Sequence, residues 1–149
     1  MDKDSIIVVT SGFFNPIHRG HIWHLQLAKD LFPNVHHVAI VNNDKQAILK
    51  KGFDFVPLID RLEVVGALRS VDEVFPSIDE DLSVSQSLAA VAKKYAGRRI
   101  VFAKGGDRVA GTLPQGETDV CEKYNVEVKY GVGGNPTSST AIIKKIKKD

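Results

Sequence analysis

Two histidines near the amino terminus have the spacing of a phosphate-binding site. His18 and His21 are three residues apart, and Gly20 lies between them. At the start of a helix, both imidazoles would project from nearly the same face, beside the free backbone N–H groups of the first turn. Helix N-termini attract anions, and imidazole N–H groups can stabilise charge that develops as a phosphorus–oxygen bond breaks. The pattern predicts a polyphosphate site that a ligand approaches closely at Gly20.

The same histidines could instead be metal ligands, extended by His24, His36 and His37. Zinc sites need three or four well-placed ligands, and the chain has neither a CxxC nor an HExxH motif. Phosphate binding is therefore favoured. We expect His24 to pack on the same side of the helix, and expect one of His36 and His37 to be buried and the other exposed.

Short apolar runs alternate with helical patterns along the chain. Strands are predicted at 6–10, 35–41, 73–75, 100–103 and 126–130, and helices at about 18–31, 44–49, 58–68, 83–95, 118–124 and 138–147. This order predicts one α/β domain over residues 1–149, with a doubly wound, mostly parallel five-stranded sheet and helices on both faces. Ligands of such sheets bind beyond the carboxyl ends of the strands.

The segments that follow the predicted strands carry most of the polar chemistry. Residues 11–16, 42–44, 104–108 and 131–140 follow the first, second, fourth and fifth strands. Three of these four segments are rich in glycine or small hydroxyl residues, which suits a phosphate-binding edge. One edge of the sheet is therefore the predicted site.

These residues resemble four motifs of a known superfamily. Residues 10–21 resemble the T-x-G-x-F-D-x-x-H-x-G-H signature of the cytidylyltransferase-like nucleotidyltransferases. Residues 61–74 are similar to the family's R-x₇-R-x-V-D-E-V element. Residues 104–107 are similar to the K-G-G-D of heptose-1-phosphate adenylyltransferases and the G-D-D of glycerol-3-phosphate cytidylyltransferases, and residues 138–143 to the closing S-S/T-T-x-I-I motif. Four motifs in the right order span nearly the whole chain.

The resemblance implies an enzyme with a Rossmann-like fold. It would transfer a nucleoside monophosphate from CTP or ATP to a phosphorylated sugar, polyol or amino alcohol and release pyrophosphate. Mg²⁺ would arrive bound to the NTP, with no metal ligand assigned to the protein. A catalytically silent nucleotide-binding sensor on the same fold is the alternative. An aminoacyl-tRNA synthetase fragment is disfavoured because the chain is short and lacks a K-M-S-K-S loop.

The resemblance also implies a role for each matching residue. The implied catalytic residues are His18, His21, Lys51 and Arg69. The implied nucleotide-binding residues are Gly12, Phe13, Phe14, Asn15, Gly20, Lys104, Gly106, Asp107, Ser138, Ser139 and Thr140. Lys50 and Arg61 are expected to bind acceptor phosphates.

Two departures from the family pattern affect these expectations. Asn15 stands where many relatives carry Asp, so no metal-binding role is assigned to it. Residues 131–137 contain no Arg, whereas many cytidylyltransferases place an Arg before the hydroxyl motif to recognise the nucleotide. The missing Arg weakens the case for CTP and leaves ATP open.

Composition limits the partners and the compartment. The net charge is only +2, so no global field recruits nucleic acid, and the lysines at 144, 145, 147 and 148 are interpreted as a solvated helix face. The apolar run at 6–10 is too short for a signal peptide or a membrane span. Cys121 is the single cysteine, which excludes an internal disulfide and favours a cytoplasmic setting. The expected partners are an NTP, a small phosphorylated acceptor and a second copy in a homodimer.

Overall fold

The computed structural model describes residues 1–106, 110–133 and 139–148. Within these residues the strands are β1 (Ile6–Gly12), β2 (Val35–Val41), β3 (Glu73–Pro76), β4 (Ile100–Ala103) and β5 (Glu127–Lys129). The helices are α1 (Arg19–Lys29), α2 (Asp44–Lys51), α3 (Leu58–Gly66), α4 (Ser85–Lys94), α5 (Gln115–Tyr124) and α6 (Ser139–Lys148).

The five strands form one sheet in the order β3-β2-β1-β4-β5, and every neighbouring pair is parallel. The chain builds outward from β1 to β3 and then returns to place β4 on the other side of β1. The strand order therefore reverses between β1 and β4, and the connections that leave these two strands diverge. This confirms the predicted doubly wound α/β fold and locates a crevice at the carboxyl ends of β1 and β4.

The two faces of the sheet are covered by different helices. Val38 and Ile40 of β2 belong to a buried cluster with residues of α4 and α5, including Leu88 and Cys121. Ala39 and Val41 alternate with them and belong to a cluster with Leu25 of α1 and Val65 of α3. Since each of these helices runs back against its strand, the N-termini of α1, α4 and α5 all reach the carboxyl edge of the sheet, from opposite faces.

Helix boundaries differ from the predicted ones where local capping decides them. Asn43 caps α2, because its side-chain oxygen accepts a hydrogen bond from the Gln46 N–H at 2.9 Å. Asp44 is the first helical residue, as the predicted range has it, and the helix ends at Lys51 rather than at residue 49. The helix α5 begins at Gln115 rather than at Thr118, directly after Pro114, whose fixed φ suits a helix start.

His37 is a buried polar residue inside the sheet, and His36 is half-buried. This confirms the expectation that one histidine of the pair is buried, but the other is only partly exposed. The Nδ1 of His37 lies 2.5 Å from the Ser70 carbonyl oxygen, so it donates, and Nε2 lies 2.8 Å from the Thr10 hydroxyl. Burial lowers the pKa of His37 to about 4, so the ring is neutral near pH 7.

Acidification is expected to destabilise the fold through His37. Between pH 6.5 and about 4, the unfolded chain binds a proton that the native ring does not, so the free energy of unfolding falls as pH falls. The loss from this group is at most about 1.4 kcal/mol per pH unit. Urea unfolding across this range should show a flatter pH profile for His37→Gln than for the wild type. Identical pH profiles would contradict the assignment.

Candidate active site

The connection from β1 to α1 forms the floor of the site. It leaves the strand at Gly12, passes through Phe14 at φ 51° and reaches the helix cap at His18. Left-handed backbone is uncommon for a bulky residue and indicates a turn that the surroundings enforce. The Phe14 ring packs beneath Gly12, where an added Cβ would lie 2.9 Å from it. Glycine is therefore required at the end of β1.

The start of α1 is capped by the two histidines themselves. The Nδ1 of His18 accepts a hydrogen bond from the Gly20 N–H at 3.1 Å. The Nδ1 of His21 accepts from the His18 N–H, also at 3.1 Å. This is a capping box in which both acceptors are imidazoles, and the two rings stack with their centroids 3.9 Å apart. An accepting Nδ1 carries no proton, so each neutral ring carries its proton on Nε2.

Burial keeps both rings neutral. It is the largest cause of the lowered pKa of His21, which falls to about 3, and neighbouring positive charges lower it further. The pKa of His18 is lowered by burial and then by the Lys51 ammonium. The start of α1 therefore carries two Nε2–H donors at neutral pH. These neutral rings can donate hydrogen bonds to phosphate oxygens without any change in their protonation state.

A cavity of about 360 Å³ opens at this helix start. Lys50, Lys51 and Lys104 contribute to its lining, and Glu117 is the only carboxylate among the described residues that line it. The Lys51 ammonium donates to the Asn15 carbonyl oxygen at 3.3 Å, and burial lowers its pKa. The cationic lining matches the charge of a polyphosphate.

The segment after β4 approaches α1 closely. A Cβ on Gly105 would lie 2.5 Å from His24 Nδ1 and 2.9 Å from the Val132 carbonyl oxygen, so only glycine fits there. His24 Nδ1 lies 2.5 Å from the same oxygen and donates to it. This bond holds the loop after β5 against α1. His24 lines the cavity as well as packing on the helix, and burial lowers its pKa.

The structure brings most of the sequence-predicted site residues to this cavity. Those that line it are Gly12, Phe13, His18, Gly20, His21, Lys50, Lys51, Lys104, Gly106, Ser139 and Thr140. Asp107 and Ser138 lie outside the described residues.

Phe14 and Asn15 lie behind the cavity wall, which corrects their expected contact with the nucleotide. Phe14 is 2% exposed and meets the His21 ring edge-on, with the centroids 5.1 Å apart. Asn15 is 1% exposed, and its side-chain oxygen accepts from the Val56 N–H at 2.6 Å. Both residues position the β1–α1 turn.

Arg61 is a structural residue, which corrects the expectation that it binds an acceptor phosphate. Its side chain is 1% exposed. Its guanidinium donates to the carbonyl oxygens of Phe13, Asn42 and Val56 and to the Asp44 carboxylate, at 2.5–2.9 Å. With both terminal nitrogens and Nε engaged by the protein, the group ties together three loops at the sheet edge.

The structure does not bring Arg69 to the cavity either. Arg69 is exposed and lines a separate depression with Gln26 and Lys29, next to the body of α1 rather than its start. A role for Arg69 as a catalytic residue has no support from this placement.

Sequence reasoning missed one wall of the cavity. Leu82 and Val84 come from the segment after β3, and Pro114 and Glu117 from the start of α5. The rule that ligands bind beyond strand ends also applies to the segment after β3, which sequence reasoning left aside. The sequence pattern predicts that this helix begins at residue 118, so it does not place Glu117 in the first turn of α5.

No group of three or more His, Cys, Asp or Glu residues within the described ranges is arranged to hold a metal ion. Searching the same ranges identifies no helix that is long and apolar enough to cross a bilayer.

Comparison with known proteins decides the family. The cytidylyltransferase-like family matches residues 9–145. The chain belongs to the cytidylyltransferase-like family. This confirms the resemblance carried by the four motifs and makes the chain a member of a nucleotidyltransferase family.

Individual relatives agree with this assignment. The bifunctional protein HldE of Citrobacter koseri is 34% identical over 145 residues, which cover 96% of this chain and 28% of that protein. FAD synthase of Thermococcus sibiricus is 42% identical over 73 residues, 48% of each chain. The chain thus spans less than a third of the first relative and about half of the second.

A solved structure shares the fold. The crystal structure of the lipopolysaccharide core biosynthesis protein from Thermoplasma volcanium GSS1 superposes with a TM-score of 0.66 at 20% identity. The match covers 87% of this chain and 98% of that one. At this identity the likeness concerns the fold of the cytidylyltransferase-like domain.

Substituting the two arginines should separate structural support from surface charge. Arg61→Met leaves three backbone carbonyls and the Asp44 carboxylate without their buried partner, which is expected to lower the free energy of unfolding by about 3–5 kcal/mol. Arg69→Met is the matched control, with an expected change within about 0.5 kcal/mol. Urea unfolding followed by circular dichroism measures both. Equal, small effects would contradict the structural role of Arg61.

Proposed function

We propose that the chain transfers AMP from ATP to the phosphate group of a phosphorylated sugar or polyol and releases pyrophosphate. The observation that carries the proposal is the pair of neutral Nε2–H donors of His18 and His21 at the start of α1, in a cavity with three lysines. The domain is proposed to comprise residues 1–149.

The reaction needs no strong general base. An anionic phosphate oxygen of the acceptor attacks the α-phosphorus of ATP and forms a new phosphorus–oxygen bond. The bond from the α-phosphorus to the bridging oxygen of the β-phosphate breaks, and the electron pair leaves with pyrophosphate. His18 and His21 donate to phosphate oxygens on which charge builds up, and Lys50, Lys51 and Lys104 offset the charge of the triphosphate. Ser139 and Thr140, at the start of α6, are proposed to bind its terminal phosphates.

ATP is favoured over CTP by two observations. Residues 131–137 lack the Arg that many cytidylyltransferases use to recognise the nucleotide. The FAD synthase of Thermococcus sibiricus, by its name, makes a product that contains AMP. Both observations support AMP as the transferred group.

Mg²⁺ is proposed to enter as the counter-ion of ATP. The described cavity residues do not fit a metal site of the protein itself, because no three of their histidines and carboxylates are arranged to hold an ion. Bound to the triphosphate, Mg²⁺ would neutralise part of its charge. No step of the proposed mechanism depends on a metal ligand from this chain.

A catalytically silent sensor is the alternative, and Asn15 in place of the family's Asp is the sequence feature that favours it. Asn15 is buried outside the cavity and bonds to Val56, so the replacement does not remove a charge from the cavity lining. Turnover is therefore proposed rather than silent binding.

A homodimer is proposed because α1 leaves Trp23 and Leu27 exposed. A cytoplasmic location is proposed because the donor is ATP.

Loss of either histidine donor should abolish most turnover. His18→Asn keeps a side-chain oxygen that can cap α1 but removes the Nε2–H donor, and His21→Ala removes the other donor. Each is expected to lower kcat by about 10²–10³-fold, the typical effect of deleting one charge-stabilising donor. The assay is pyrophosphate release from ATP or CTP with glycerol-3-phosphate, glucose-1-phosphate or ethanolamine phosphate.

The matched control is His36→Ala, which removes a half-buried histidine that contacts Glu73 and does not line the cavity. Its turnover should stay near that of the wild type. Near-normal kcat in both His18→Asn and His21→Ala would rule out the mechanism.

A further inference from the structure

One carboxylate oxygen of Glu117, a residue of the cavity wall, has no hydrogen-bond partner among the described residues. Glu117 is only 4% exposed and lines the cavity. Its Oε2 accepts from the Val84 N–H at 3.1 Å, whereas Oε1 is buried and has no hydrogen-bond partner in the described part of the chain. An unsatisfied buried carboxylate oxygen is costly, so its presence in a cavity wall points to a donor on a ligand.

The surrounding helices hold this carboxylate in place. Glu117 lies in the first turn of α5, where the helix dipole favours a negative charge. Val84 is the N-cap of α4 and has no side-chain cap of its own, so the Oε2 bond satisfies its backbone. Gly116 packs on α4, where an added Cβ would lie 3.1 Å from the Ser85 hydroxyl. The Glu117 carboxylate is thus held between the N-termini of α4 and α5.

Glu117 lines the same cavity as the phosphate-binding residues, but its helix packs on the opposite face of the sheet from α1. The helices α4 and α5 cover one face of the sheet, and α1 covers the other. Two of the segments proposed to bind ATP contact the α1 side: Gly105 packs on His24, and the Ser139 hydroxyl donates to the Pro16 carbonyl oxygen at 2.7 Å. The Lys104 ammonium instead lies 4.5 Å from the centroid of the Phe102 ring, which belongs to the cluster of α4 and α5. We therefore assign the acceptor to the part of the cavity next to Glu117, with its phosphate directed towards the lysines.

We propose that Glu117 is the residue that recognises the acceptor, with Oε1 accepting a hydrogen bond from a hydroxyl of a sugar or polyol phosphate. This rests on the proposed AMP transfer to a sugar or polyol phosphate and adds the residue that selects that acceptor. Glu117 selects hydroxylated acceptors over amino alcohols and over acceptors that carry a second anionic group.

Three features favour a hydroxyl over an ammonium. A hydroxyl donates one hydrogen bond and needs one acceptor, which Oε1 supplies, whereas an ammonium has three donors to satisfy. The neighbouring lining residues Leu82, Val84 and Pro114 present apolar side chains. Lys50, Lys51 and Lys104 line the same cavity, and their charge opposes a second cation. An anionic group beside the Glu117 carboxylate would be repelled.

The test is Glu117→Gln, which keeps an oxygen for the Val84 N–H and replaces the carboxylate acceptor by an amide. With the best hydroxylated acceptor, kcat/KM for the acceptor should fall about 10–100-fold, as expected for one hydrogen bond to a charged group, while KM for ATP stays unchanged. Glu122→Gln, an exposed site on the same helix, is the control and should match the wild type.

Deoxy acceptors distinguish recognition from a structural role. Removing the recognised hydroxyl, by testing 2-deoxy and other monodeoxy forms of the acceptor, should reduce wild-type kcat/KM by a similar factor and cause no further loss in Glu117→Gln. Equal additional losses for every deoxy acceptor in both proteins would overturn the proposal. So would a rise in KM for ATP that matches the loss for the acceptor.

The wild type also separates this inference from the proposed function. Turnover that prefers ethanolamine phosphate to glycerol-3-phosphate and glucose-1-phosphate keeps AMP transfer and overturns hydroxyl recognition. If no acceptor gives pyrophosphate, the proposed function fails. Calorimetric titration of glycerol-3-phosphate and glucose-1-phosphate then decides the site: weaker binding to Glu117→Gln than to Glu122→Gln supports it, and equal or absent binding overturns it.

Discussion

The site depends on two backbone-to-imidazole hydrogen bonds at the start of α1. The N–H groups of Gly20 and His18 donate to Nδ1 of His18 and His21, and each bond satisfies a helix N–H that would otherwise need water or a ligand. The same bonds fix the proton of each ring on Nε2 and orient that donor. Capping the helix and preparing the phosphate-binding donors are therefore one interaction, and the histidine pair serves both the fold and the chemistry.

Other parts of the structure hold this helix start in position. Phe14 packs under the His21 ring, and Arg61 joins the carbonyl groups of Phe13, Asn42 and Val56. His24 donates to the Val132 carbonyl and thereby fixes the loop after β5. The buried Arg61 guanidinium and the buried Phe14 ring thus determine the shape of the carboxyl edge of the sheet. The lysines and the neutral histidines line the cavity at this edge. Glu117 differs from these groups, because one oxygen of its buried carboxyl group has no hydrogen-bond partner among the described residues.

Sequence spacing predicted much of this arrangement. Apolar runs located the strands, and the three-residue interval placed His18 and His21 together at a helix start, because both features depend on neighbours along the chain. Burial of an arginine depends instead on how a helix packs. Arg61 and Arg69 belong to the same motif, yet Arg61 lies in α3 and is buried against three loops, whereas Arg69 lies after the end of α3 and is exposed. The packing of α4 against α5, which positions Glu117, is likewise a tertiary contact. A local sequence pattern does not predict it.

Nitrogen-15 NMR of the histidine rings near pH 7, assigned with single-histidine substitutions, tests the central claim most directly. The account predicts neutral rings with the proton on Nε2 for both His18 and His21, and with the proton on Nδ1 for His24, whose Nδ1 donates to Val132. A protonated Nδ1 on His18 or His21 in the free protein, as the other neutral tautomer or as imidazolium, would contradict it.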